Sequence, residues 1–146
     1  MTTVAPNATD HIVVLVADMD NAIQTWETKL GFALTHTVEL EEPGIRQAFF
    51  DLPDGTFIEL VAPTKQDSRV SELIEQNGEG VHVLALRVDD LDASVAALQA
   101  QGVELIGVGT RQVFIKASFA NGVLIQLWPS DQPHRWRDHP NLGRSS

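Results

Sequence analysis

Cysteine is absent from the 146-residue chain, and with it go disulfides, thiolate metal sites, iron–sulfur clusters and thiol nucleophiles. Positive charge is scarce. Ten Lys and Arg face twenty Asp and Glu, a net charge of -10, so the surface repels nucleic acid and anionic lipid. No apolar run reaches the roughly 18 residues a spanning helix needs. The opening MTTVAPNATDH lacks the basic and apolar regions of a secretory signal. No Gly-rich phosphate loop, nucleophile elbow or basic stripe is written in the chain. These features point to a cytoplasmic protein with a small-molecule ligand, not a membrane or nucleic-acid partner. The hydrophobic share, 43%, is enough for a real core.

The chain repeats itself. DHIVVLVADMDNA (10–22) and HVLALRVDDLDAS (82–94) share an apolar run followed by Asp, Met or Leu, and Asp; Asp18 matches Asp90 at an offset of 90 − 18 = 72. DGTFIEL (54–60) matches NGVLIQL (121–127) at an offset of 121 − 54 = 67. Each half has the order strand, helix, then strands ending after an Asx-Gly turn. Periodicity predicts strands at 11–17, 33–39, 45–51 and 56–62, then a short helix opened by Asp67 or Ser68. The second half repeats this with strands at 81–88, 103–107, 111–118 and 123–128 around a helix at 91–101. The first-half helix starts at Asp18 or Asp20, carries Ala22, Ile23, Trp26 and Leu30 inward, and ends at Gly31.

The expected fold class is therefore α+β: two paired βαβββ modules forming a curved mixed sheet around a central cleft. The modules run over about 10–63 and 81–128, joined by a helix at 67–77, with an arm at 1–9 and a tail at 129–146. A ligand site belongs in such a cleft.

The informative residues break the apolar pattern. His11 opens the first strand, Glu59 interrupts FIELV, and Gln126 interrupts LIQLW. A carboxylate in a buried strand needs a partner, a proton or a metal. Across the repeat Glu59 maps to Gln126 and His11 to Val83, so one half carries the ionisable couple and the other an amide and an aliphatic chain.

In the order DHIVVLVADMDNAI, GIRQAFFDL, FIELVAP, DSRVSELIEQNGEGVHVLALRVDDL and NGVLIQL, the chain resembles the vicinal oxygen chelate superfamily, the glyoxalase and bleomycin-resistance fold, over residues 10–128. Within it the likeness is to methylmalonyl-CoA epimerases. The resemblance implies one divalent metal held by four ligands, two from each half. Its first-half ligand positions fall on His11 and Glu59, its third on Val83 and its fourth on Gln126. Gln47 falls where such epimerases place an acid for proton transfer. A homodimer is also implied.

Two aligned ligands and one neutral amide argue against a tightly held ion; a divalent metal of the Mg, Mn or Co type on His11 and Glu59, with Gln126 as a third donor, is the alternative. The metal-free reading gives catalytic roles to His11, Glu59 and Gln126. Glu59 orients the imidazole, His11 acts as general acid or base, and the Gln126 and Gln47 amides hold a substrate carbonyl. Lys116 and Arg111 are candidate contacts for a substrate carboxylate or phosphate. His82 is expected to face away from the ligand position, and Trp136 to anchor the tail.

Three functions follow. The first is an isomerase or lyase that moves a proton next to the carbonyl of a small organic acid or acyl thioester, with a degenerate or absent metal site. The second is a metal-dependent methylmalonyl-CoA epimerase-like enzyme with unusual ligands. The third is a non-catalytic protein that binds and sequesters a small molecule.

Overall fold

The computed structural model describes residues 5–134. The expectation for Trp136 lies outside them. Among the described residues, eight strands and three α-helices make a mixed α+β fold, as the repeat predicts. The elements are β1 (Ala8–Leu15), α1 (Met19–Ile23), β2 (His36–Leu40), β3 (Ile45–Asp51), β4 (Phe57–Pro63), α2 (Arg69–Asn77), β5 (Gly80–Val88), α3 (Leu91–Ala100), β6 (Leu105–Ile106), β7 (Val113–Ile115) and β8 (Leu124–Pro129).

The described residues fall into two compact units, Val13–Val81 with residues 133–134, and residues 5–12 with His82–Gln132. Strand β1 contributes its later residues to the former and its earlier ones to the latter.

In the first of these units β2 pairs with β3 and β3 with β4, both antiparallel. The end of β1 is tied in by Val16, whose N–H donates to the Val61 carbonyl at 2.9 Å. Ala48, Phe50, Leu60 and Ala62 alternate onto one face and pack against Met19 and Ala22 of α1. Asp18 caps that helix, its Oδ1 accepting from the Asn21 N–H at 3.0 Å. The predicted single helix changes register after Ile23. Residues Gln24–Lys29 wind as a π-helix, closed by the Leu30 N–H donating to the Thr25 carbonyl at 2.9 Å. Phe32 N–H then folds back onto the Trp26 carbonyl at 3.0 Å, which delays β2 to residue 36.

In the other unit β5 pairs with β8 in parallel, and β7 pairs antiparallel with β8 and β6. Val88, Val113 and Leu127 pack against Leu91, Val95 and Leu98 of α3. Asp90 caps α3 through the Ala93 N–H at 3.0 Å. The two predicted strands at 103–107 and 111–118 shorten because the intervening loop turns sharply. At Gly107, with φ +82°, an added Cβ would lie 2.1 Å from the Gln112 carbonyl oxygen, so only glycine fits there.

Candidate functional site

Opposite residues of an antiparallel ladder share a face. Val38 opposes Gln47, Gln47 opposes Val61, and Phe49 opposes Glu59. These side chains therefore lie on the sheet face turned away from α1. Gln47 Nε2 donates to Glu59 Oε2 at 2.9 Å, both residues being half-buried. Buried Phe49 and Phe57 lie edge-to-face beside this couple, ring centroids 5.9 Å apart, and the His134 ring meets Phe57 at 5.2 Å. Two residues singled out in the sequence are thus brought together: an amide clamps a carboxylate on an aromatic floor.

The unit built on β5 and β8 holds the other half of the predicted set. Leu127 and Val88 point to α3, so strand alternation turns Val83, Ala85, Arg87, Gln126 and Trp128 to the opposite face. Ala85 is in register with Gln126, and Arg87 with Trp128. The His11 ring stands edge-on to Trp128, with centroids 5.4 Å apart and planes at 82°. Alternation also places His82 with Leu84, Leu86 and Val88, on the α3 side.

His11 is almost fully buried, and its Nδ1 lies 2.6 Å from Oδ2 of Asp10. Asp10 is itself 0% exposed. Its other oxygen, Oδ1, accepts from Arg87 Nε at 3.1 Å and from Arg87 Nη2 at 2.9 Å. The carboxylate is therefore satisfied on both oxygens, which is what permits a buried acid. Held this way, Asp10 faces Nδ1 and fixes the orientation of the imidazole. The acid on Nδ1 is Asp10.

Asp10 and Arg87 were both missed in the sequence. An acid before the first apolar residue of a strand reads as ordinary, and Arg in LALRV reads as a solvated position. The signal was present all the same: an Asp-His pair opening one strand, and one cation inside an otherwise apolar strand.

Lys116 and Arg111 sit in surface ion pairs. Lys116 Nζ bonds Glu104 Oε1 at 2.8 Å, and Arg111 Nη2 bonds Asp131 Oδ1 at 2.5 Å. Arg111 also lines an acidic cavity of about 430 Å³ with Asp89, Asp90, Asp92 and Asp131, where an anion is disfavoured.

A divalent ion on His11, Glu59 and Gln126 would have one imidazole, one carboxylate and one neutral amide. Val83, 6% exposed, offers only an aliphatic side chain, and Glu59 Oε2 already accepts from Gln47. This donor set does not fit a tight four-ligand divalent site.

Comparison with known proteins places these features. The family profile described as Glyoxalase/Bleomycin resistance protein/Dioxygenase superfamily matches residues 10–120. The chain is 34% identical over 128 residues to the uncharacterized protein YqjC of Bacillus subtilis, covering 83% of this chain and 91% of that one. The crystal structure of methylmalonyl-CoA epimerase from Mycobacterium tuberculosis superposes with a TM-score of 0.73 at 35% identity, covering 89% of this chain and 93% of that one. A variant of the Streptomyces coelicolor methylmalonyl-CoA epimerase in complex with 2-nitronate-propionyl-CoA superposes with a TM-score of 0.72 at 32% identity, covering 88% and 100%.

Proposed function

Because the chain belongs to the Glyoxalase/Bleomycin resistance protein/Dioxygenase superfamily, we propose that it is an acyl-CoA isomerase in which His11 moves the proton next to the thioester carbonyl. The observation that carries this is the 2.6 Å bond from His11 Nδ1 to the fully buried Asp10 carboxylate. Support for the substrate class comes from the relatives, of which one is a methylmalonyl-CoA epimerase and another is a methylmalonyl-CoA epimerase in complex with 2-nitronate-propionyl-CoA.

The α-carbon of a thioester gives up its proton when the negative charge can pass to the carbonyl oxygen. His11 Nε2 takes the proton, the C–H electron pair forms the enolate, and the imidazolium is stabilised by Asp10 across Nδ1–H. Gln126, on the same face as Trp128 against which His11 packs, donates an amide N–H to the enolate oxygen. Once the planar enolate has turned its opposite face to His11, return of the proton from Nε2 completes an epimerisation. Gln47 and Gln126 stand where the resemblance expects acids, so His11 is left as the base. Glu59 holds the Gln47 amide at 2.9 Å. The His11, Glu59 and Gln126 set fits no tight divalent ion, and no step here passes through one. Lys116 and Arg111 are left out, since each holds a surface carboxylate. A cytoplasmic homodimer belongs with this proposal, and light scattering tests the dimer.

The experiment is deuterium uptake at the α-carbon of methylmalonyl-CoA and propionyl-CoA in D2O, followed by mass spectrometry. Exchange by the natural chain and its loss in His11→Ala, by about a hundredfold or more, is expected. Exchange unchanged in that variant overturns the assignment. Tight acyl-CoA binding without any exchange favours the sequestering role instead.

A further inference from the structure

We propose that Arg87 is an anion anchor, whose outer guanidinium edge takes the carboxylate of a ligand lying on the β5–β8 face. This deepens the acyl-CoA proposal and rests on it for the rest of the ligand: the favoured acyl group is one that bears a free carboxylate.

A guanidinium has five N–H donors in a fixed fork. In Arg87 two of its nitrogens, Nε and Nη2, converge on the single oxygen Oδ1 of Asp10. That uses the side edge of the fork. The end edge, Nη1 with the second N–H of Nη2, makes no hydrogen bond among the described residues, and this is the edge that matches a carboxylate bidentately. The side chain is 32% exposed, so the group is reachable although the acid it holds is sealed.

Its surroundings suit an anion. Arg87 shares its face with Val83, Ala85, Leu124, Gln126 and Trp128, and Phe114 lies in register with Gln126. None of these carries negative charge. The one acid bonded to this guanidinium, Asp10, is fully buried and occupies only the side edge of the fork, so the end edge is left to an anionic ligand. The pairs Arg46–Asp20, Lys65–Glu42 and Arg111–Asp131 differ, because their acids are themselves largely exposed and their fields are screened. Asp10 is fully buried and fixes the guanidinium plane, so little order remains to be imposed when a carboxylate arrives.

The test uses malonate, a dicarboxylate without coenzyme A, and malonamide, its neutral counterpart, on the full chain labelled with nitrogen-15. Malonate is expected to shift the Arg87 Nε–Hε resonance, and malonamide to leave it in place. By calorimetry Arg87→Met should weaken malonate about tenfold or more, and Arg87→Lys about threefold or more while keeping its melting temperature closer to that of the natural chain. An unmoved resonance, or unchanged malonate affinity in Arg87→Lys, overturns the anchor. Should Arg87→Met fail to fold, the natural chain and Arg87→Lys decide. Malonate binding without α-exchange of any acyl-CoA leaves the anchor standing and removes the isomerase. Exchange without a malonate response removes the anchor alone.

Discussion

Asp18 and Asp90 do the same work at equivalent places in the two halves. Each sits in extended backbone, at φ -136° and -135°, and each Oδ1 accepts from the backbone N–H three residues on at 3.0 Å. Replacing either by Ala should cost about 1 kcal/mol, and the double variant about twice that. Urea denaturation measures this. A loss confined to one of the two would mean that only one helix depends on its cap.

Asp10→Asn removes the counter-charge of Arg87 and the orienting acid of His11 in one step. The expected loss of stability is about 2 kcal/mol, since the sealed partner becomes a neutral amide while the part-exposed Arg87 keeps some of its hydration. The urea midpoint reports it. In nitrogen-15 spectra of the imidazole, the single Nδ1–H tautomer should give way to a mixture. A variant as stable as the natural chain, with an unchanged tautomer, would show that the acid is a bystander.

Val83→His with Gln126→Glu puts an imidazole and a carboxylate at the two positions where the resemblance expects ligands. Cobalt affinity should rise about tenfold or more over the natural chain, read by calorimetry and by the visible spectrum of the ion. No gain would mean that residues 83 and 126 are not the ligand positions.

Asp54 holds the turn before β4. Its Oδ1 accepts from the Thr56 hydroxyl at 2.6 Å and from the Thr56 N–H at 3.1 Å. The hydroxyl bond first, then the backbone bond, lowers its pKa below the ordinary 3.8. A group whose folded pKa is depressed contributes stability above its unfolded value, and that contribution fades as pH falls through the folded one. NMR titration should find Asp54 below 3.8, and Thr56→Ala should return it toward that value. Identical titration in both proteins would refute the assignment.

Much of this architecture was legible in the residues. Duplicated Asx-Gly turns and duplicated caps gave the strand and helix order, because both rest on local chemistry that a side chain announces. A carboxylate interrupting an apolar strand pointed to Glu59, and the family resemblance pointed to Gln47; the structure joins the two. The change to a π-helix at Gln24 was not legible, since apolar spacing over six residues hardly distinguishes the two windings. Neither was Asp10: its importance comes from Arg87, a residue 77 positions away, and only the folded chain brings the two together.

The division of β1 has a practical consequence for anyone who wishes to cut or rewire this gene. The sequence duplicates at about residue 81, but the unit that contains His82–Gln132 also needs residues 5–12, which carry Asp10 and His11. A fragment expressed from residue 82 onward would leave Arg87 facing an empty socket. A circular permutant that reads from His82 through Gln132 and then into residue 5 by a linker would keep every partner of that guanidinium on one contiguous polypeptide.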